Sequence, residues 1–401
     1  MYTSKRFTAL LLLLVLLLAT YAQAQHTVIY VESNIGQVAN MNSVYAWVND
    51  GAGHLSALSG SPFLTGGTGN YVPQKAVATV FQADQEVVIN PLNKTLLTVN
   101  GHTNTITVMK IQADGSLAPI SGSPFASNGQ DPVSLGLDLT SPGGAVLTVV
   151  NQSEDPTQHG VQPNYTTFKV SPSGQLTPVT GSTIQLRSHS KPSQALVSPS
   201  GQFVFTDQFL GGGKITAWRV RPTGLLKSAN VVGPPTGDVF LGLAVNPLFD
   251  TLYAGLPDVN EIAIYTYDST GKLTFANTSS NSGLEVCWLV VNAEATRLYS
   301  ANTIDNSVST YDISGNNLTP VEMQHLTLAT NAGGATNLAV DPNGAFLYVL
   351  GAALPGFSLP GNAVHVLAIN TDGTLSENTT PVVIPVPSGE SPQGLAVYQT
   401  P

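Results

Sequence analysis

The sequence predicts an all-β fold built from seven copies of one four-stranded antiparallel unit, with the last strand of the chain returning to complete the first copy. Three observations carry this. A Gly turn followed by Leu recurs seven times. An apolar strand, a Pro/Gly/Asn turn and an aliphatic-aromatic strand precede that turn. The composition, with 38 Gly, 27 Pro and only 9% charged residues in a chain of 401, suits many short strands joined by tight turns rather than a helical bundle or a disordered chain.

In chain order, the N-terminus comes first. Lys5 and Arg6 lead into an apolar run, Phe7 to Ala19, interrupted only by Thr8, and Ala22-Gln23-Ala24 follows with small residues at both recognition positions. This is the order of a secretory signal, with cleavage expected after Ala24. The run is too short to cross about 30 Å of hydrocarbon as a helix. No Cys follows it, which excludes a lipoprotein anchor at this place. Residues 1–24 are therefore read as a signal peptide, and 25–401 as one secreted or periplasmic domain with no membrane span.

The Gly-Leu turn appears as Gly53-His54-Leu55, Asp114-Gly115-Ser116-Leu117, Ser173-Gly174-Gln175-Leu176, Thr223-Gly224-Leu225-Leu226, Thr270-Gly271-Lys272-Leu273, Ser314-Gly315-Asn316-Asn317-Leu318 and Asp372-Gly373-Thr374-Leu375. The first two copies continue almost identically, through Ser59-Gly60-Ser61-Pro62-Phe63 and Ser121-Gly122-Ser123-Pro124-Phe125. The preceding strand pair is clearest from Leu338-Ala339-Val340-Asp341-Pro342-Asn343-Gly344 to Ala345-Phe346-Leu347-Tyr348-Val349. Between the two signatures lies a period-2 strand, such as Ile262 to Tyr267, which reads as half-buried.

Each unit thus holds four strands, here A to D from the inside outwards. Seven units of roughly 50 residues fall in the range of propeller repeats. A β-sandwich would not repeat one unit seven times, and a parallel β-helix has a shorter rung. The first unit begins at Thr27 without an A strand, and Gly394 to Tyr398 looks like a lone one. The prediction is a seven-bladed β-propeller whose C-terminal strand joins the first blade and closes the ring, removing exposed inner edges.

The charge of −10, made more negative when Lys5 and Arg6 leave, gives no electrostatic footprint for nucleic acid or anionic lipid. The only Cys, Cys287, sits in an apolar strand and reads as a buried structural thiol. No Gly-x-Ser-x-Gly elbow, phosphate-binding Gly loop or His-Glu-x-x-His occurs, and the seven His show no metal-ligand spacing, so no cofactor and no metal are expected. In a propeller the B–C and D–A loops share the face around the channel, where binding is expected. His189, on the link into the fourth unit, and His159, in the long loop of the third, could act there as a general base. Asp207, Glu285 and Asp305 are expected on the same rim.

At these repeats the chain resembles the seven-bladed propeller lactonase family, which includes 6-phosphogluconolactonase-type enzymes. The carriers are the 338–349 stretch, the Asp/Ser-Gly-x-Leu turns and the Ser-Gly-Ser-Pro-Phe strands. The resemblance implies a lactone substrate, with His and Arg-His at the starts of inner strands and acidic residues at certain B-strand ends. Asp207 matches one acidic position. Pro192-Ser193-Gln194-Ala195 stands where a Pro-His is expected, Cys287-Trp288 where an Arg-His is expected, and Ala301-Asn302-Thr303 lacks the expected Glu. Two functions follow: a lactone hydrolase using His189 or a water held by Asp207, or a non-catalytic propeller presenting its rim to a carbohydrate or protein partner.

Overall fold

Alternating apolar residues force each repeat into an antiparallel sheet, and Gly turns set its corners. The computed structural model describes residues 25–70, 83–354 and 357–401. The expected signal segment lies outside the described residues. Seven separate sheets follow one another, each ordered A-B-C-D, and the described residues contain no α-helix. The A strands are Gln393–Gln399 in blade 1, Val87–Asn90, Pro132–Asp138, Pro192–Val197, Leu243–Val245, Val286–Val291 and Gly334–Val340 in blade 7. They pack side by side in a closed ring.

Closure is as the termini predict. Gln393–Gln399 pairs antiparallel with Thr27–Glu32, from Thr27 opposite Gln399 to Val31 opposite Leu395. The repeated Ser-Gly-Ser-Pro-Phe also finds its reason. The outer strands of blades 1 and 2 break there into two short pieces pairing with one C strand. At the break a Ser hydroxyl serves as the missing acceptor: Ala46 N donates to Ser61 Oγ at 2.9 Å, and Val108 N to Ser123 Oγ at 2.9 Å.

Neighbouring blades are joined through the Gly-Leu turns. Tyr30 Oη of blade 1 donates to Gly115 O of blade 2 at 2.6 Å, and Tyr299 Oη of blade 6 to Gly373 O of blade 7 at 3.2 Å. Around the closure, Asn49 Nδ2 of blade 1 donates to Tyr348 Oη of blade 7 at 2.6 Å. Gly115 takes φ 87°, and a Cβ there would meet Val28 Cγ2 at 2.8 Å, so the turn needs Gly for both its backbone and the approach of blade 1. The Asn ending several B strands pins the B–C turn: Asn302 Nδ2 donates to Ser307 Oγ and Ser309 Oγ, both at 2.9 Å.

Candidate functional site

The ring leaves a channel along its axis. Its upper end is set by the D–A links and B–C loops, its lower end by the A–B turns. Every A strand is buried where it begins at the upper face and half-buried further down, apart from Asn90 and Asp138, which fold back to cap their own turns.

Residues 83–86, at the end of the link into blade 2, cross the upper channel. Trp288 Nε1 of blade 6 donates to Ala83 O at 2.7 Å. Asp84 N donates to Ser193 O of blade 4 at 3.2 Å, and Leu135 N of blade 3 to Gln85 O at 3.0 Å. The Asp84 carboxylate accepts from Asn337 Nδ2 of blade 7 at 2.9 Å and from Gln194 Nε2 of blade 4 at 3.3 Å. Gln194 Nε2 also reaches Gln85 Oε1 at 3.2 Å, while its Oε1 accepts from Leu243 N of blade 5 at 2.6 Å. Gln194 and Trp288, which stand where His and Arg-His are expected, therefore grip a segment of the chain itself. Below this segment lies a cavity of about 240 Å³ lined by Asp84, Gln85, Gln194 and aliphatic side chains.

Carboxylates cluster behind the segment. Asp84 is walled in by protein yet retains access to the channel. Burial, with Asp207 adding repulsion, raises its pKa to about 7 against the opposing Gln85 amide and Asn337. Asp207 is the penultimate residue of the B strand Phe203–Gln208, is fully buried, and has no described group in hydrogen-bonding geometry with either oxygen. Burial lifts its pKa to about 7, although Ser193 and the Gln194 and Gly242 amides lie near enough to favour its charge. Glu32 is raised by burial to about 8 despite the 2.6 Å hydrogen bond from Asn42 Nδ2. Glu86, with both oxygens unpartnered, is held well above the usual range by burial and by Asp84 and Glu32. Asp131 is raised by burial to about 6, against hydrogen bonds from Asn70 and the Glu154 amide.

The residues singled out from the sequence separate. Asp207 lies beneath the rim rather than on it. His189 stands on the upper face with 85% of its side chain exposed, its Nδ1 3.7 Å from Glu154 Oε1. No hydrogen bond or ion pair joins His189 to Asp207 among the described residues. His159 and Glu285 are exposed, and Asp305 faces His325 at 3.5 Å. Cys287 is buried, and burial pushes its thiol far up. The long loop of the third blade packs on the short B–C turn of the second: His102 Nδ1 and Asp155 Oδ2 are 2.7 Å apart. No group of three or more His, Cys, Asp or Glu suited to a metal ion occurs among the described residues. Sequence reasoning missed Asp84 and its neighbours, whose only signal was a pair of acids, Asp84 and Glu86, immediately before an inner strand. A cavity of about 770 Å³ lies elsewhere, as a groove on the lower rim bearing Arg219, Arg221 and Lys227, away from the carboxylates.

Fold and channel define the class, a seven-bladed β-propeller with buried carboxylates at the upper end of its channel. The model of the seven-bladed β-propeller lactonase family matches residues 243–395, which span blades 5 to 7 and reach into the closing strand. No curated protein sequence matches the chain. Among solved structures, a periplasmic gluconolactonase from Pseudomonas aeruginosa is 18% identical, with a TM-score of 0.69 and coverage of 94% of this chain and 100% of that one. A candidate 6-phosphogluconolactonase from Bacteroides fragilis is 14% identical, with a TM-score of 0.68 and coverage of 94% and 99%. The chain is a seven-bladed β-propeller whose blades 5 to 7 match the lactonase family model.

Proposed function

We propose that the protein is an exported lactone hydrolase whose chemistry is run by the buried carboxylates of the channel. The observation that carries this is the pair Asp84 and Asp207, both with pKa values near 7, one of them lining a cavity. Groups poised near neutrality in a concave site are the expected equipment of general acid–base catalysis. In its ionised form Asp84 accepts a proton from a water as that water attacks the lactone carbonyl. The ring C–O bond then breaks, and Asp84 returns the proton to the leaving alkoxide, giving a hydroxy acid. Asp207 acts through Asp84, as a positioning residue that sets the pH at which the base is ready. His189, outside the cavity lining, is not needed. The family match and the gluconolactonase fold neighbour support lactones as the substrate class.

Export rests on the signal-like residues 1–24 and agrees with the periplasmic neighbour. No helix among the described residues is long and apolar enough to cross a membrane.

The test is proton release from a panel of lactones by the purified protein. Asp84→Asn should abolish turnover, His189→Ala should leave it unchanged, and Asp207→Asn should move the acid limb of the pH profile to lower pH. A folded protein that turns over no lactone, or an Asp84→Asn variant with full activity, overturns the reading. A second reading, a non-catalytic propeller, is favoured by one observation: Gln194 and Trp288 replace the expected His and Arg-His and hold residues 83–85.

A further inference from the structure

The channel below residues 83–86 is apolar. Its lower mouth is a cavity of about 590 Å³, walled by valines from five blades (Val197, Val245, Val290, Val291, Val340 and Val397) with Pro199, Pro247 and Pro342 among its other lining residues. Neither Lys nor Arg lines it, and its one carboxylate, Asp341, is committed to Asn343 N at 2.7 Å and Tyr348 Oη at 3.2 Å. This mouth shares Val245, Val290, Val291 and Leu338 with the smaller cavity above, so the two are successive parts of one passage. The passage ends at polar groups: Asp84, Gln85 and Gln194.

An apolar barrel half-exposed to solvent is costly unless something covers it, and ligand sites of this size pair apolar walls with a few placed polar groups. The polarity runs along the axis, aliphatic at the open lower end and hydrogen-bonding at the upper. A ligand matching it has a small hydrogen-bonding head and an unbranched aliphatic tail. Gln85 can serve the head: its Oε1 is taken by Gln194, while no described residue accepts from its side-chain NH2. That amide suits an ester carbonyl, and the ionised Asp84 carboxylate beside it suits the water that attacks it.

We propose that the lower channel is a binding tunnel for an aliphatic lactone, which arrives through the A–B turn face with its ring toward Asp84 and Gln85 and its alkyl chain between the valines. In naming the substrate class this rests on the hydrolase reading, but binding is measured without turnover.

The experiment titrates γ-butyrolactone, γ-octalactone and γ-dodecalactone into the Asp84→Asn protein by calorimetry, beside Val291→Trp and Val340→Trp, each made in that background and checked by circular dichroism and thermal melting. Affinity should rise with chain length, by up to about fourfold for each methylene fully buried. At least one folded tryptophan variant should lose most of the gain for the longest chain while binding γ-butyrolactone as before. Affinity independent of chain length, or unchanged in both folded tryptophan variants, overturns the tunnel. If both variants unfold, the chain-length series decides alone. Chain-length-dependent binding without turnover by the wild type would overturn the hydrolase and leave the tunnel standing. Turnover with a KM indifferent to chain length would do the reverse.

Discussion

Trp288 Nε1 donates a 2.7 Å hydrogen bond to Ala83 O, joining residues 205 positions apart across the upper channel. The bond holds the start of the segment that carries Asp84 and Gln85 over the passage beneath. Trp288→Phe keeps most of the ring and strands the carbonyl, which costs about 1–3 kcal/mol if the group stays buried. The segment should loosen before the propeller does. Hydrogen exchange should therefore show lost protection at the Asp84 amide, now bonded to Ser193 O, with only a small fall in Tm. Unchanged protection would mean that Gln194 and Asn337 hold the segment unaided.

The tyrosine bonds between blades give a paired comparison. Tyr30 and Tyr253 are both fully buried at matching places in their B strands, yet Tyr30 Oη bonds Gly115 O while Tyr253 Oη makes no hydrogen bond of standard geometry, although Asn246 lies close enough to favour its ionised form. Tyr30→Phe should cost about 1–2 kcal/mol in denaturant unfolding, because a buried carbonyl loses its donor. Tyr253→Phe should be neutral or stabilising, since it removes an unsatisfied hydroxyl. Equal losses from both would show that the hydroxyls do not join the blades.

The fold was legible because its signals are local and repeated. A Gly turn, a Leu and an alternating strand mean the same thing seven times over, and the unpaired Gly394 to Tyr398 had one place to go. The site was far less legible. Gln194 reads in the sequence as the loss of an expected His. That its amide binds both Asp84 and Leu243 depends on residues 110 and 49 positions away. Asp207 could be placed at the end of a strand, but a strand end does not say whether the side chain meets channel water or the protein interior. Residues 83–86 follow no periodicity and take their positions from four other blades.

Ring closure predicts the effect of shortening the chain. Deleting residues 393–401 removes the A strand of blade 1 and every bond in its register with Thr27–Glu32. It also uncovers the inner edge of blade 1 and removes the strand that packs between the A strands of blades 7 and 2 to complete the ring. The truncated chain should melt well below the full one and with a broader transition, followed by circular dichroism. An unchanged Tm would mean that the first blade stands without its inner strand.

Stability should fall as pH rises from 5 to 8, opposite to the behaviour of proteins held by ion-paired carboxylates. The sign follows from four buried acids. Asp131 is raised to about 6, Asp84 and Asp207 to about 7, and Glu32 to about 8. In the unfolded chain such groups release their protons near pH 4. Between those values the native state holds protons that the unfolded state has lost, so each pH step favours unfolding. Below pH 4 both states are protonated and the effect vanishes; above pH 8 these four groups are ionised in both states and their contribution levels off. Tm measured across this range should therefore decline toward pH 8, and Asp207→Asn, by supplying a permanently neutral group, should flatten the decline. A Tm that rises with pH in the wild type would show that these carboxylates are charged and compensated in the folded protein, and would remove the basis for treating Asp84 as a base poised near neutrality.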